Sequence, residues 1–83
     1  MIVKPLGTET TVSTTATTVT DAMLVRIYAA NASLITIRNP SDGNAVVGTF
    51  TMAAGGIEYV EKDRTHTLEA SVDVLCVPVS YKS

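Results

Sequence analysis

Eight of the thirteen residues from Thr8 to Thr20 are threonine. A run so rich in uncharged, β-branched side chains favours extended backbone and leaves nothing in the segment that favours a helix. Threonine in place of Gly/Ser points away from a flexible linker and toward ordered strand, or toward an arm laid on a partner. Two short strands, around Thr10–Ser13 and Thr17–Thr20, and one long arm are both open readings. Ahead of the tract, Ile2-Val3-Lys4 reads as an opening strand that Pro5 ends or holds at an edge.

The rest of the chain reads as short strands divided by tight turns. Ala22–Ala29 sets Met23, Val25 and Ile27 on one face and Leu24, Arg26 and Tyr28 on the other. Ala30-Asn31-Ala32 leads directly into Ser33–Arg38, and two strands joined so closely are expected to form an antiparallel hairpin. Asn39-Pro40-Ser41-Asp42-Gly43-Asn44 is the clearest turn, with Pro presetting φ and Gly supplying positive φ. Ala45–Met52 follows, and its Phe50, the only phenylalanine of a chain without tryptophan, is the expected centre of the core. Ala53-Ala54-Gly55-Gly56 reverses the chain into Ile57–Glu61. A charged connection, Lys62–His66, is expected to be exposed. Thr67–Ala70 and Val72–Tyr81 close the series, and Pro78 places its strand at a sheet edge. No window holds a helical period. This rhythm predicts an all-β fold, a small antiparallel sandwich or barrel with an extended threonine-rich N-terminal segment.

Eighty-three residues make one small domain, whose core supplies only ~3–5 kcal/mol of net stability unless something assists it. Cys76 is the only cysteine, so an intrachain disulfide is excluded. One Cys and His66, the one His, cannot supply a four-ligand zinc site. Oligomerisation or docking on a larger assembly is the remaining source of help. Charged residues make up 17% of the chain, below the quarter usual in soluble proteins, and Thr, Ala, Ser and Asn take their place. The net charge of −2 and the lack of a Lys/Arg cluster argue against a nucleic-acid partner. No stretch has the length of a membrane helix, and Met1-Ile2-Val3-Lys4-Pro5 lacks the apolar run of a signal peptide.

Side chains suited to chemistry are few. His66 lies in the charged loop and reads as a solvated residue. Cys76 lies between Leu75 and Val77, where apolar neighbours make a thiol a core residue and a poor nucleophile. Glu58 and Glu61 have opposite parity and are expected on opposite faces of their strand, which argues against a paired-carboxylate site. Asp42-Gly43-Asn44 lacks the acidic density of a calcium loop. Gly55-Gly56 is followed by neither a lysine nor a helix, so it is not a phosphate loop. Tyr28, Tyr59 and Tyr81 are the candidates for a shared sugar- or peptide-binding face. No catalytic, cofactor or metal residue is assigned.

The runs Met23–Asn31, Leu34–Arg38, Gly48–Met52, Gly56–Lys62 and Asp63–Leu68, with the closing pattern Val77-Pro78-Val79-Ser80-Tyr81, resemble small virion proteins of tailed bacteriophages, marine cyanophages in particular. Those proteins pair a Thr/Ser/Ala-rich N-terminal segment with a body of repeated strands. The resemblance implies a non-enzymatic head-decoration (cement) protein bound to the outer capsid, or a neck or tail accessory. It implies no cofactor, the major capsid protein or other virion proteins as partners, a homo-oligomeric or lattice-bound state, and a virion location after assembly in the host cytoplasm. Strand addition at an exposed edge is the expected mode of contact. It is expected to use Ile2, Val3, Lys4, Thr10, Thr11, Val12, Thr14 and Thr15. On this reading residues 1–20 form an arm and residues 21–83 a body that folds without it.

Overall fold

The computed structural model describes residues 2–82, with side-chain burial described for residues 3–80. The chain is all-β, in two antiparallel sheets packed face to face as an open, sandwich-like pair. Its strands in chain order are β1 (Ile2–Pro5), β2 (Thr10–Val12), β3 (Leu24–Ala29), β4 (Ser33–Asn39), β5 (Ala45–Met52), β6 (Gly56–Glu61), β7 (Thr67–Ala70) and β8 (Val74–Lys82). The larger sheet runs β1-β8-β3-β6, with β2 also on β8, and the smaller runs β5-β4-β7.

Alternation along the strands dictates the two layers. Val25, Ile27 and Ala29 of β3 are fully buried, as is Ile35 of β4, with Ile37 close behind. Leu68 and Ala70 of β7 and Val74 and Cys76 of β8 complete the facing rows. Eight short strands cannot cover two apolar rows in one layer, so the rows meet across a core. For this reason the expected hairpin of β3 with β4 does not form. Ala30–Ala32 is a corner that carries the chain from the larger sheet to the smaller, so that each inner row covers the other. The Ala53–Gly55 reversal is likewise a corner, from β5 to β6, and Gly55 N–H donates to the Ala29 carbonyl at 2.6 Å.

One turn joins neighbours within a sheet, at Asn39–Asn44. There Asn39 caps a single 3-10 turn (Pro40–Asp42) by accepting from Ser41 N–H, and Gly43 leaves it at φ 61. Phe50 is not the core centre. It sits half-buried on β5 and packs against the core from its margin, because β5 is an outer strand of the smaller sheet and, unlike β7, has no threonine tract bonded along its free side. The centre is held by Ile27, Ile35, Leu68 and Val25.

Residues 2–20 are built into the sandwich. β1 and β2 lie end to end along β8, with Pro5 opposite Val79 and Thr10 opposite Cys76. Residues Leu6–Glu9 bulge out between them. Val12 (2% exposed) and Val19 (4%) belong to the core, so the expected division at residue 20 has no counterpart in the packing. The threonine tract then crosses between the sheets. Ser13 O accepts from Ala70 N–H at 2.9 Å, and Thr17 exchanges both backbone bonds with Leu68, at 3.1 and 2.7 Å. One long side of the sandwich is thereby closed.

Pro78 lies in an interior strand, against the edge position expected for it. β8 has β3 on one side and β1 and β2 on the other. Pro78 O accepts from Leu6 N–H at 2.8 Å, so the nitrogen of Pro78 also faces the β1–β2 side. There the Leu6–Glu9 bulge interrupts the ladder, and the missing donor leaves no acceptor stranded.

Candidate binding surface

Register places the outer side chains of the larger sheet in rows. Tyr28 lies between Ile57 on β6 and Leu75 on β8, and Arg26 lies between Tyr59 and Val77. Leu24 sits opposite Glu61. Leu24, Tyr28 and Leu75 are half-buried, while Ile57 (47% exposed) and Tyr59 (39%) stand open to solvent. No second layer of the described chain covers this side. An ion pair spans part of it: Arg26 Nη1 lies 3.5 Å from Glu9 Oε2, which ties the bulge back to β3. Val77, between them in sequence register, is buried although it faces outward. The surface ends in a groove of about 670 Å³ lined by Leu6, Met23, Leu24, Val79 and Arg64.

Tyr28 and Tyr59 therefore share a face on adjacent strands, on the diagonal of the register. Tyr81 pairs through its backbone with Val3, and its side chain lies outside the described residues.

The candidate partner residues separate under the fold. Lys4, Thr10, Thr11, Thr14 and Thr15 are exposed along the β1–β2 margin, and Val3 is half-buried. Thr10, Thr11 and Thr15 line one groove of about 620 Å³. Val12 faces the core and cannot reach a partner. The Ile2 side chain lies outside the described residues.

The remaining polar groups are held by local structure. Lys62, expected in an exposed loop, is buried at 6% exposure. Its Nζ donates to the Ala22 carbonyl at 2.7 Å and to the Asp63 carbonyl at 3.3 Å. Burial lowers its pKa, against the opposing pull of Asp21 and Asp63. Ala22 ends a turn in which Val19, Thr20 and Asp21 all have φ between 53 and 57. The ammonium thus anchors a left-handed turn that β-branched residues adopt at a cost. Asp63 accepts from Thr65 N–H and Thr65 Oγ1, both at 3.1 Å, and these bonds hold its carboxyl below the usual range. His66 is half-buried, its N–H donating to Asp63 O at 3.1 Å. Cys76 is buried in the core, which pushes its thiol up to about 12.

Ser33, the first residue of β4, is buried. Its hydroxyl donates to Val72 O at 2.7 Å and accepts from Val72 N–H at 3.1 Å, pinning the β7–β8 corner. On the outer side of the smaller sheet Arg38 pairs with Glu69. Among the described residues no three His, Cys, Asp or Glu side chains gather where they could hold a metal ion. No helix among them is long and apolar enough to cross a membrane.

Of the three tyrosines that sequence reasoning offered for one face, the fold brings Tyr28 and Tyr59 together. Sequence reasoning missed Lys62, because a lysine at the head of a charged run carries no sign that its ammonium turns inward to cap a carbonyl forty residues away. Compared with known proteins, the chain matches no family model, no curated protein and no solved structure.

Proposed function

We propose that this protein is a non-enzymatic structural component of a virion, a capsid decoration protein that docks on the outer head through the uncovered side of its larger sheet. One observation carries the reading. Tyr28, Leu75 and Ile57, with Leu24 and Tyr59 beside Arg26 on the same face, form a largely apolar surface that no second layer of the described residues covers, and such a surface on a small domain marks a contact site. Thr11, opposite Leu75, borders it on β2, and the exposed Lys4, Thr10, Thr14 and Thr15 lie elsewhere on the β1–β2 margin, where they would add polar and edge contacts. The sequence resemblance supplies the kind of partner, the major capsid protein. The same surface would serve a neck or tail accessory, which differs in copy number.

The test is quantitative mass spectrometry of purified virions of the encoding phage, counting this chain against the major capsid protein. A copy number of the same order is expected. A handful per particle would move the protein to the neck or tail, and absence would overturn the virion reading. In a companion assay on particles lacking the protein, Ile57→Asp should abolish rebinding while the circular dichroism spectrum is unchanged. A second reading, a carbohydrate- or receptor-binding module, draws on the shared face of Tyr28 and Tyr59. Glycan-array binding lost in Tyr28→Ala and Tyr59→Ala would favour it.

A further inference from the structure

The two long sides of the sandwich differ. The threonine tract closes one, by running from β2 across to β7. On the other side β5 and β6 are the outer strands of their sheets, and a groove of about 690 Å³ opens between them onto Phe50, Val60 and Ile37. β5 is eight residues long and carries no charged side chain. Val46 (52% exposed) and Val47 (56%) stand in solvent. Long, uncharged, exposed edges are what monomeric β proteins avoid, since half of such a strand's backbone groups remain available for pairing. Other outer strands do carry charge, Lys4 on β1 and Glu58 and Glu61 on β6.

A second observation lies in the middle of β5. Gly48 has no positive φ, and a Cβ placed on it would meet nothing within 4 Å. Neither backbone conformation nor packing within this chain requires a glycine there, and a glycine weakens a strand interior. The bulge beside it, where Val47 is the residue without a partner on β4, also runs without positive φ. A glycine of this kind marks a place where another chain approaches closely.

We infer that β5 is the pairing edge for a second copy of this chain, joined antiparallel about a two-fold axis at Thr49. In that register Thr49 meets Thr49 of the second copy, and Gly48 meets its Phe50. Each aromatic ring then covers the other chain's glycine on the groove side, an arrangement that offsets the weakness of a strand glycine. Close to the two-fold axis each residue lies near its own copy, so a charge there would meet a like charge at once. The charge-free composition of β5 satisfies that requirement. The two smaller sheets become one six-stranded sheet, and the unpaired edge is removed.

The proposal is independent of the virion reading, since it concerns the protein in free solution. Sedimentation velocity of the whole chain across a concentration series is expected to show a monomer–dimer equilibrium. Thr49→Lys should weaken dimerisation tenfold or more, with the circular dichroism spectrum unchanged because Thr49 is exposed. Gly48→Val should raise the melting temperature of the dilute monomer and weaken the dimer, two effects of opposite sign. Thr49→Cys should form a disulfide-linked dimer on mild oxidation, whereas buried Cys76 should not. A chain that stays monomeric at every concentration would overturn the inference. So would a dimer that tolerates both Thr49→Lys and Gly48→Val.

Discussion

Lys62 and Cys76 make opposing contributions to alkaline stability. Burial lowers the Lys62 pKa from 10.5. Between the folded value and 10.5 the unfolded chain therefore binds the extra proton, and stability rises with pH. Burial raises Cys76 from 9.0 to about 12. Across that interval the folded chain keeps a proton that the unfolded chain loses, and stability falls with pH. Removing the lysine should expose the second trend alone. Urea unfolding of Lys62→Met between pH 8 and 10.5 is expected to show a steeper alkaline loss than the parent protein. Equal slopes would mean that the ammonium is as well hydrated folded as unfolded. The same burial should leave Cys76 inert to a thiol reagent at pH 8 until denaturant is added. Core substitutions should follow position in the fold more than side-chain size. Ile27→Ala is expected to cost ~2–5 kcal/mol. Phe50→Ala, on the margin of the core, should cost less although it removes the larger group, as thermal melts of the dilute protein would read.

At the level of elements, the threonine tract acts as a side wall. Deleting residues 1–20 removes β1, β2, Val12 and Val19 and leaves β8 unpaired on one side, so the remainder is expected to lose its cooperative thermal transition. Thr17→Pro removes the N–H that bonds Leu68 O and should cost ~1–3 kcal/mol, seen as a lower urea midpoint. Within the left-handed turn, Thr20→Gly relieves a φ of 55 and is expected to stabilise by up to ~1 kcal/mol, whereas Val19→Gly also empties a core position and should destabilise. Much of this architecture was legible in the sequence. Alternation in Val25–Ala29 and Ser33–Ile37 names the inner rows, and the Asn39–Asn44 turn is written in its residues. Connections were less legible. A three-residue link such as Ala30–Ala32 suits a hairpin or a corner equally, and what decides between them is where the facing row comes from, a long-range fact. Pro78 misled for the same reason, since its tolerance depends on a bulge seventy residues earlier. In the binding surface, the parity of Tyr28 and Tyr59 was readable only once β3 and β6 were known to be neighbours.

For the molecule as a whole, the larger sheet is organised around β8, which pairs with β1, β2 and β3. That central strand comes after every other strand in the chain. Most pairings in the sheet thus join residues far apart in sequence, and such topologies fold slowly. Refolding from urea should be a single slow phase compared with helical domains of this length, and truncation before Val74 should give a chain without protected amides in hydrogen exchange. Synthesis on the ribosome meets the same constraint. The smaller sheet can gather on β4 once β7 is out, but β1, β2 and one edge of β3 have no strand to pair with until β8 clears the exit tunnel. The unpaired edges of β1, β2 and β3 are therefore the part of this protein open to wrong partners for longest during its synthesis.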